Sequence, residues 1–81
     1  MTPAALRLAA DVLDALVDRE RYAAMSDALR VLADRREVTS TALVERGHND
    51  RAARRALATV GDALDLTRVR GWRRADVWRL P

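Results

Sequence analysis

The sequence predicts a single, mainly α-helical domain that closes on a small β-wing. Three observations carry that expectation. Apolar residues recur at helical spacing from Pro3 to Leu64, the period switches to two after Asp65, and Gly47 and Gly71 fall between periodic segments, where the chain must turn. The 81 residues are 49% hydrophobic with only three Gly and two Pro, a balance that favours a packed helical domain over disorder. A chain of this size buries only roughly 60–65% of the surface its unfolded form exposes, so its stability is expected to be modest and a partner or dimer contact would add to it.

Pro3 suits the first turn of a helix, and from Ala4 to about Arg19 the polar residues Arg7, Asp11, Asp14 and Asp18 recur at spacings of four, three and four. They form one narrow polar stripe. Leu6, Leu8, Ala9, Val12, Leu13, Ala15, Leu16 and Val17 make the rest of that helix apolar over a wide arc, which needs cover from the domain or from a second copy of the chain. Ser26 or Asp27 is expected to cap a second helix through about Arg36, with Ala28, Leu29, Val31 and Leu32 inward and Asp27, Arg30 and Asp34 outward. The link 21–25 has neither Gly nor Pro, so the two helices could be nearly continuous. The domain 1–81 is thus read as an N-terminal helical part, 1–25, a candidate dimerisation element, followed by 26–81.

Glu37 to Thr39 is short and β-rich and reads as a brief strand. Ser40 or Thr41 then caps a short helix carrying Ala42, Leu43 and Val44, which Gly47 ends in the left-handed conformation. Asn49 or Asp50 caps the next helix, running to about Leu64, and the sequence of helix, glycine turn and capped helix is the helix-turn-helix pattern. On that last helix Ala53, Leu57, Val60 and Leu64 share the inner face, Arg51, Arg55, Ala58 and Asp62 lie nearly opposite, and Arg54 sits on a flank. Beyond Asp65, Leu66, Arg68 and Arg70 alternate with Thr67 and Val69, and after Gly71 the residues Asp76, Trp78 and Leu80 alternate with Val77 and Arg79. Two strands joined at a tip of Gly71 to Ala75 result, with the segment near Val38 available as a third.

Composition narrows the chemistry. There is no Cys, hence no disulfide or thiolate metal site, and the single His48 makes a zinc site of the usual kind improbable. No nucleophile and base are paired by the sequence, so no enzyme, cofactor or metal is expected. The apolar start of the chain lacks a preceding basic segment and is interrupted by Arg7, Asp11 and Asp14, unlike a secretion signal, and no apolar run approaches a membrane span; a cytoplasmic protein is expected. The small size leaves little room for a ligand pocket except at a dimer seam. All fifteen basic residues are Arg. From Met1 to Glu37 six Arg face seven acids, a net of −1, whereas from Val38 to Pro81 nine Arg face five acids, a net of +4, and this asymmetry points the second half at a polyanion.

The segment Val38 to Leu80, and in particular "RRALATVGDALDLTRVRGWRRADVWRL", resembles the winged helix-turn-helix superfamily, whose order is helix, short strand, helix, turn, recognition helix and two-stranded wing. It departs from many members in carrying its glycine at Gly61 rather than just before the first wing strand, and Asp62 falls on the groove-facing side, where it would repel phosphate or accept from a cytosine amine. The resemblance implies double-stranded DNA as partner, bound with or without sequence specificity by a small transcriptional regulator. Helix 50–64 would enter the major groove with Arg51, Arg54 and Arg55, and the wing 66–80 would hold the flanking backbone with Arg70, Arg73 and Arg74, Arg68 lying on the same strand face as Arg70. Thr39, Ser40 and Thr41 could donate hydroxyls to phosphate, Trp72 could stack on sugar or base, Trp78 would pack the wing on the recognition helix, and His48 reads as an incidental exposed side chain. Asp11, Asp14 and Asp18 read as a solvated stripe balanced by Arg7 and Arg21. A homodimer through the N-terminal helix would set paired half-sites. The same fold could instead serve as a protein-interaction module that docks on a larger partner through that apolar helix.

Overall fold

The computed structural model describes residues 1–16 and 18–81, with the side chain of residue 19 left aside. Its elements follow in the order α1 (Pro3–Asp14), α2 (Arg19–Arg35), β1 (Glu37–Thr39), α3 (Ser40–Glu45), α4 (Asp50–Leu64), β2 (Thr67–Val69) and β3 (Val77–Arg79). The chain is therefore mainly helical with a small three-stranded antiparallel sheet.

Thr2 starts α1: its Oγ1 accepts from the Ala5 N–H at 3.1 Å, and Pro3 fills the first helical position, where no N–H is needed. The helix stops at Asp14, well short of the expected Arg19, and α2 begins at Arg19 rather than at Ser26. Residues 21–25, expected as a link, lie inside α2, so a division at 25/26 cuts a helix. No Gly or Pro marks the real break. Its cause is tertiary: only by folding back after Asp14 can α1 bury Leu6 and Ala10 against Ala28, Leu29 and Leu32. Val17, counted among the apolar residues of the first helix, lies outside the described residues.

Ser26 is consequently no cap but a buried mid-helix residue. Its hydroxyl faces the Ala10 carbonyl at 3.3 Å and donates to Asp14 Oδ1 at 2.7 Å, while Arg30 Nη1 donates to Ser26 Oγ at 2.8 Å. Arg30 Nη2 also reaches Asp11 Oδ1 at 3.0 Å and pairs with Asp14 Oδ2. Asp11 and Asp14 are thus engaged by a cation from the neighbouring helix, not by Arg7 or Arg21, and Arg7 instead pairs with Asp34 at 2.8 Å. The hydrogen bond that Arg30 donates to Asp14 holds its pKa above the ordinary value against desolvation, with the bond to Asp11 adding to it.

Arg36 adopts a left-handed φ of 61° that ends α2 and turns the chain into β1. Thr39, the last residue of that strand, is itself the cap of α3, accepting from the Ala42 N–H at 3.1 Å; the extended backbone of the strand already supplies the φ/ψ a cap requires, which displaces the role from Ser40 or Thr41. At the other end Gly47, with φ of 99°, allows its own N–H to reach the Val44 carbonyl at 2.9 Å and that of His48 to reach Leu43 at 3.2 Å, so the last carbonyls of α3 are satisfied. Asn49 caps α4 through the Ala52 N–H at 2.7 Å.

The sheet order is β1-β3-β2, so β3 is central. Val38 and Arg68 both lie opposite Trp78, on its two sides. The core gathers Leu6, Leu32, Val38, Leu43, Leu57 and Val60, and α2 is its hub, packing on both α1 and α4.

Candidate nucleic-acid interface

The inner face of α4 is buried at Ala53, Leu57 and Val60, with Leu64 half-buried, as the spacing predicts; Arg51, Arg54, Arg55, Ala58 and Asp62 are exposed. Ala56 is also buried, so the free arc is narrower than a pure two-faced helix would leave. Arg54 Nε pairs with Asp50 at 2.9 Å, one turn back, with both side chains more than half exposed. Such a pair is weak in water and yields to a stronger anion. Arg51 and Arg55 make no ion pair among the described residues.

The helix continues to Leu64 although Gly61 falls inside it. Asp65 takes the left-handed conformation, φ 52°, that a glycine before the strand would otherwise supply, and the Leu66 N–H closes on the Gly61 carbonyl at 2.9 Å. Gly61 has a different task. A Cβ there would stand 2.5 Å from the Trp78 ring, so its absence lets the indole lie directly on α4 and fixes the hairpin against the helix. Arg68 covers Trp78 from its other side, its guanidinium carbon 5.0 Å from the ring centroid.

The hairpin tip is braced by Asp76. One carboxylate oxygen accepts from the Gly71 N–H at 2.9 Å, the other from Arg68 Nε at 2.6 Å. The Gly71 N–H first, and Arg68 second, hold the Asp76 pKa below the ordinary carboxylate range. Arg68 is therefore a structural part of the hairpin rather than a free cation beside Arg70. Arg73 has a positive φ of 62° and lies over Trp72, 4.6 Å from the ring centroid; Trp72 is 82% exposed. Arg70 and Arg74 are exposed and make no ion pair among the described residues.

These pieces form two recesses on either side of α4. A cleft of about 220 Å³ between α4 and the hairpin is lined by Ser40, Arg54, Ala58, Arg68, Arg74 and Trp78, so two of the expected arginines, Arg54 and Arg74, converge on one space. Arg55 turns the other way, onto a groove of about 480 Å³ shared with Arg21, Tyr22, Met25, His48 and Thr59. A single protomer thus has more concave space than its length suggested. Arg51 lines neither recess, and Arg73 remains at the tip. Thr41 is exposed at the start of α3, whereas Thr39 is engaged as a cap and Ser40 is buried.

His48 is not the loose surface side chain expected. It is half-buried, and its Nε2 lies 2.6 Å from Asp27 Oδ2, while Arg46 Nη1 lies 3.7 Å from the other oxygen. The cluster ties α2 to the turn between α3 and α4, which fixes where α4 begins. Asp27, placed outward by spacing alone, and Asp76 are the residues that sequence reading missed. The only signal for Asp27 was its register with a turn twenty-one positions away.

Compared with known proteins, the chain matches no family model, no curated sequence and no solved structure. Among the described residues no helix is long and apolar enough to cross a membrane.

Proposed function

We propose that the protein binds double-stranded DNA as a small transcriptional regulator of the winged helix-turn-helix kind, extended by an N-terminal helix. In this reading α4 enters the major groove and the hairpin β2–β3 rests on the flanking backbone. The observation that carries it is the placement of Arg51, Arg55, Arg70 and Arg74, exposed on α4 and the hairpin and without carboxylate partners among the described residues. Guanidinium groups left unneutralised on an exposed helix face suit phosphate oxygens and the O6/N7 edge of guanine, both of which accept two parallel N–H bonds. Small residues beside them, Ala52 and Ala58, permit close approach of the helix to the groove floor. The Arg54–Arg74 cleft is sized for a phosphate with its sugar rather than for a base pair, and so suits backbone grip.

Fluorescence anisotropy of labelled random-sequence duplex, titrated at several salt concentrations, tests this. Micromolar binding that falls linearly on a log–log salt plot is expected, because each phosphate neutralised releases counterions. No binding at low salt would leave the arginines without this role and favour a protein-interaction module of the same shape.

A further inference from the structure

We propose that the tip of the hairpin receives an unpaired base on Trp72, so that the preferred ligand is a DNA duplex carrying unpaired nucleotides rather than a fully paired one. This rests on the double-stranded DNA reading above and narrows it. Trp72 is 82% exposed, the most exposed of the chain's large hydrophobic side chains. The other indole, Trp78, is enclosed, with Gly61 of α4 against it and Arg68 over its ring. Trp72 has only the guanidinium of Arg73, 4.6 Å from its ring centroid, and no further ring contact among the described residues.

The tip is built to hold that ring out in water. A Cβ on Gly71 would stand 2.5 Å from the Arg74 carbonyl oxygen and 2.6 Å from that of Ala75, so the loop closes backbone on backbone. Asp76 ties the Gly71 N–H at 2.9 Å, and Arg73 adopts a left-handed φ of 62°. An indole fixed in this way forgoes the burial that usually stabilises it, and its neighbours say what would supply that burial. They are cations: Arg70, Arg73 and Arg74 are exposed and without carboxylate partners among the described residues. An aromatic face set among guanidinium groups suits a nucleotide, with phosphate for the cations and a base for the ring. An apolar protein surface would instead desolvate those charges unpaired.

Within a fully paired duplex each base face is covered by its neighbours, and inserting an indole there means unstacking a step. An unpaired base offers its face without that cost. Arg74 also lines the cleft shared with Arg54 of α4, so the tip adjoins the place where the duplex backbone would lie. One ligand then meets both parts, with paired DNA along α4 and an unpaired base on Trp72.

Fluorescence anisotropy should compare two labelled duplexes of the same paired sequence and ends, one fully paired and one with a short central bulge of unpaired thymines. The bulged duplex is expected to bind roughly tenfold tighter, the order of magnitude of one stacked base. Trp72→Ala should bring that ratio to about one, and Trp72→Phe, which keeps a ring, should retain most of it. Circular-dichroism melting should show both variants folded, since the side chain stands in water. Emission gives a readout independent of affinity: bulged DNA should quench a component of the wild-type fluorescence that Trp72→Phe lacks. Equal affinity of the wild-type chain for the two duplexes, a preference that survives Trp72→Ala, or quenching unaltered in Trp72→Phe would each overturn this inference while leaving duplex binding in place. Binding to neither duplex would overturn the DNA reading together with it.

Discussion

Arginine is put to opposite uses in the two halves of the molecule. Between α1 and α2 it meets carboxylates: Arg7 reaches Asp34, and Arg30 bridges Asp11, Asp14 and the buried Ser26. On α4 and the hairpin the paired arginines, Arg54, Arg68 and Arg79, sit beside Arg51, Arg55, Arg70 and Arg74, which have no carboxylate partner among the described residues. Net charge alone would describe the halves as slightly acidic and moderately basic. The geometry adds that the α1–α2 seam neutralises Arg7 and Arg30 side chain by side chain, and that the second half keeps exposed arginines where a polyanion can reach them. A guanidinium is thus informative through what already occupies its fork, rather than through its presence.

That contrast can be broken at its strongest point by reversing Arg55 and Arg74 together. Duplex affinity at low salt should fall roughly 100-fold or more, as two separated contacts are each replaced by repulsion, while the melting temperature should stay within about 3 °C because both side chains are exposed. Calorimetry alongside anisotropy checks both halves of the statement. Arg30→Ala should show the reverse pattern: a stability loss of about 1–2 kcal/mol, after allowing for solvent screening of a partly exposed group, with DNA affinity of the folded protein nearly unchanged. If this variant instead lost DNA binding without losing stability, the division between the two kinds of arginine would not hold.

The junction between helix and hairpin can be sharpened next. Gly61→Ala places a methyl against the Trp78 ring. The overpacking cost, about 1–3 kcal/mol, is partly offset by the roughly 1 kcal/mol that alanine gains over glycine in a helix, so a small net loss with a shifted Trp78 emission is expected. Unchanged emission would mean that the indole does not rest on α4. The smallest effect should come from acid. Asp76 is depressed in the folded protein, so its contribution is complete above the ordinary aspartate pKa and is lost as pH falls from there through the folded value. Near-ultraviolet circular dichroism should show a hairpin change in that acidic range which Asp76→Asn lacks.

Much of this was legible in the chain. Period and capping residues placed α4 from Asp50 to Leu64, and alternation placed both hairpin strands, because local rules decide them: Asn49 bonds three residues on, and Gly47 ends the helix before it. The break between α1 and α2 was illegible because no local residue enforces it; burial of Leu6 and Ala10 does. For the candidate site, exposure of Arg51, Arg54 and Arg55 was readable from spacing. Which arginine faces which recess was not, since that depends on how the Trp78 indole seats the hairpin on Gly61. His48 and Asp27 were misread for the same reason, each meeting a partner far away in sequence.

The position of β3 at the centre of the sheet has a consequence for the order of folding. Its partners are a near neighbour, β2, and a distant one, β1, with Glu37 and Arg79 paired across 42 positions. Closing that loop is entropically costly until α3 and α4 have condensed on α2 and shortened the path between the two strands. The helical assembly is therefore expected to form early and the sheet late, and loss of β3 would strand β1 and β2 together. The surface proposed to meet nucleic acid would then be the last part of the chain to take shape and the first to come apart.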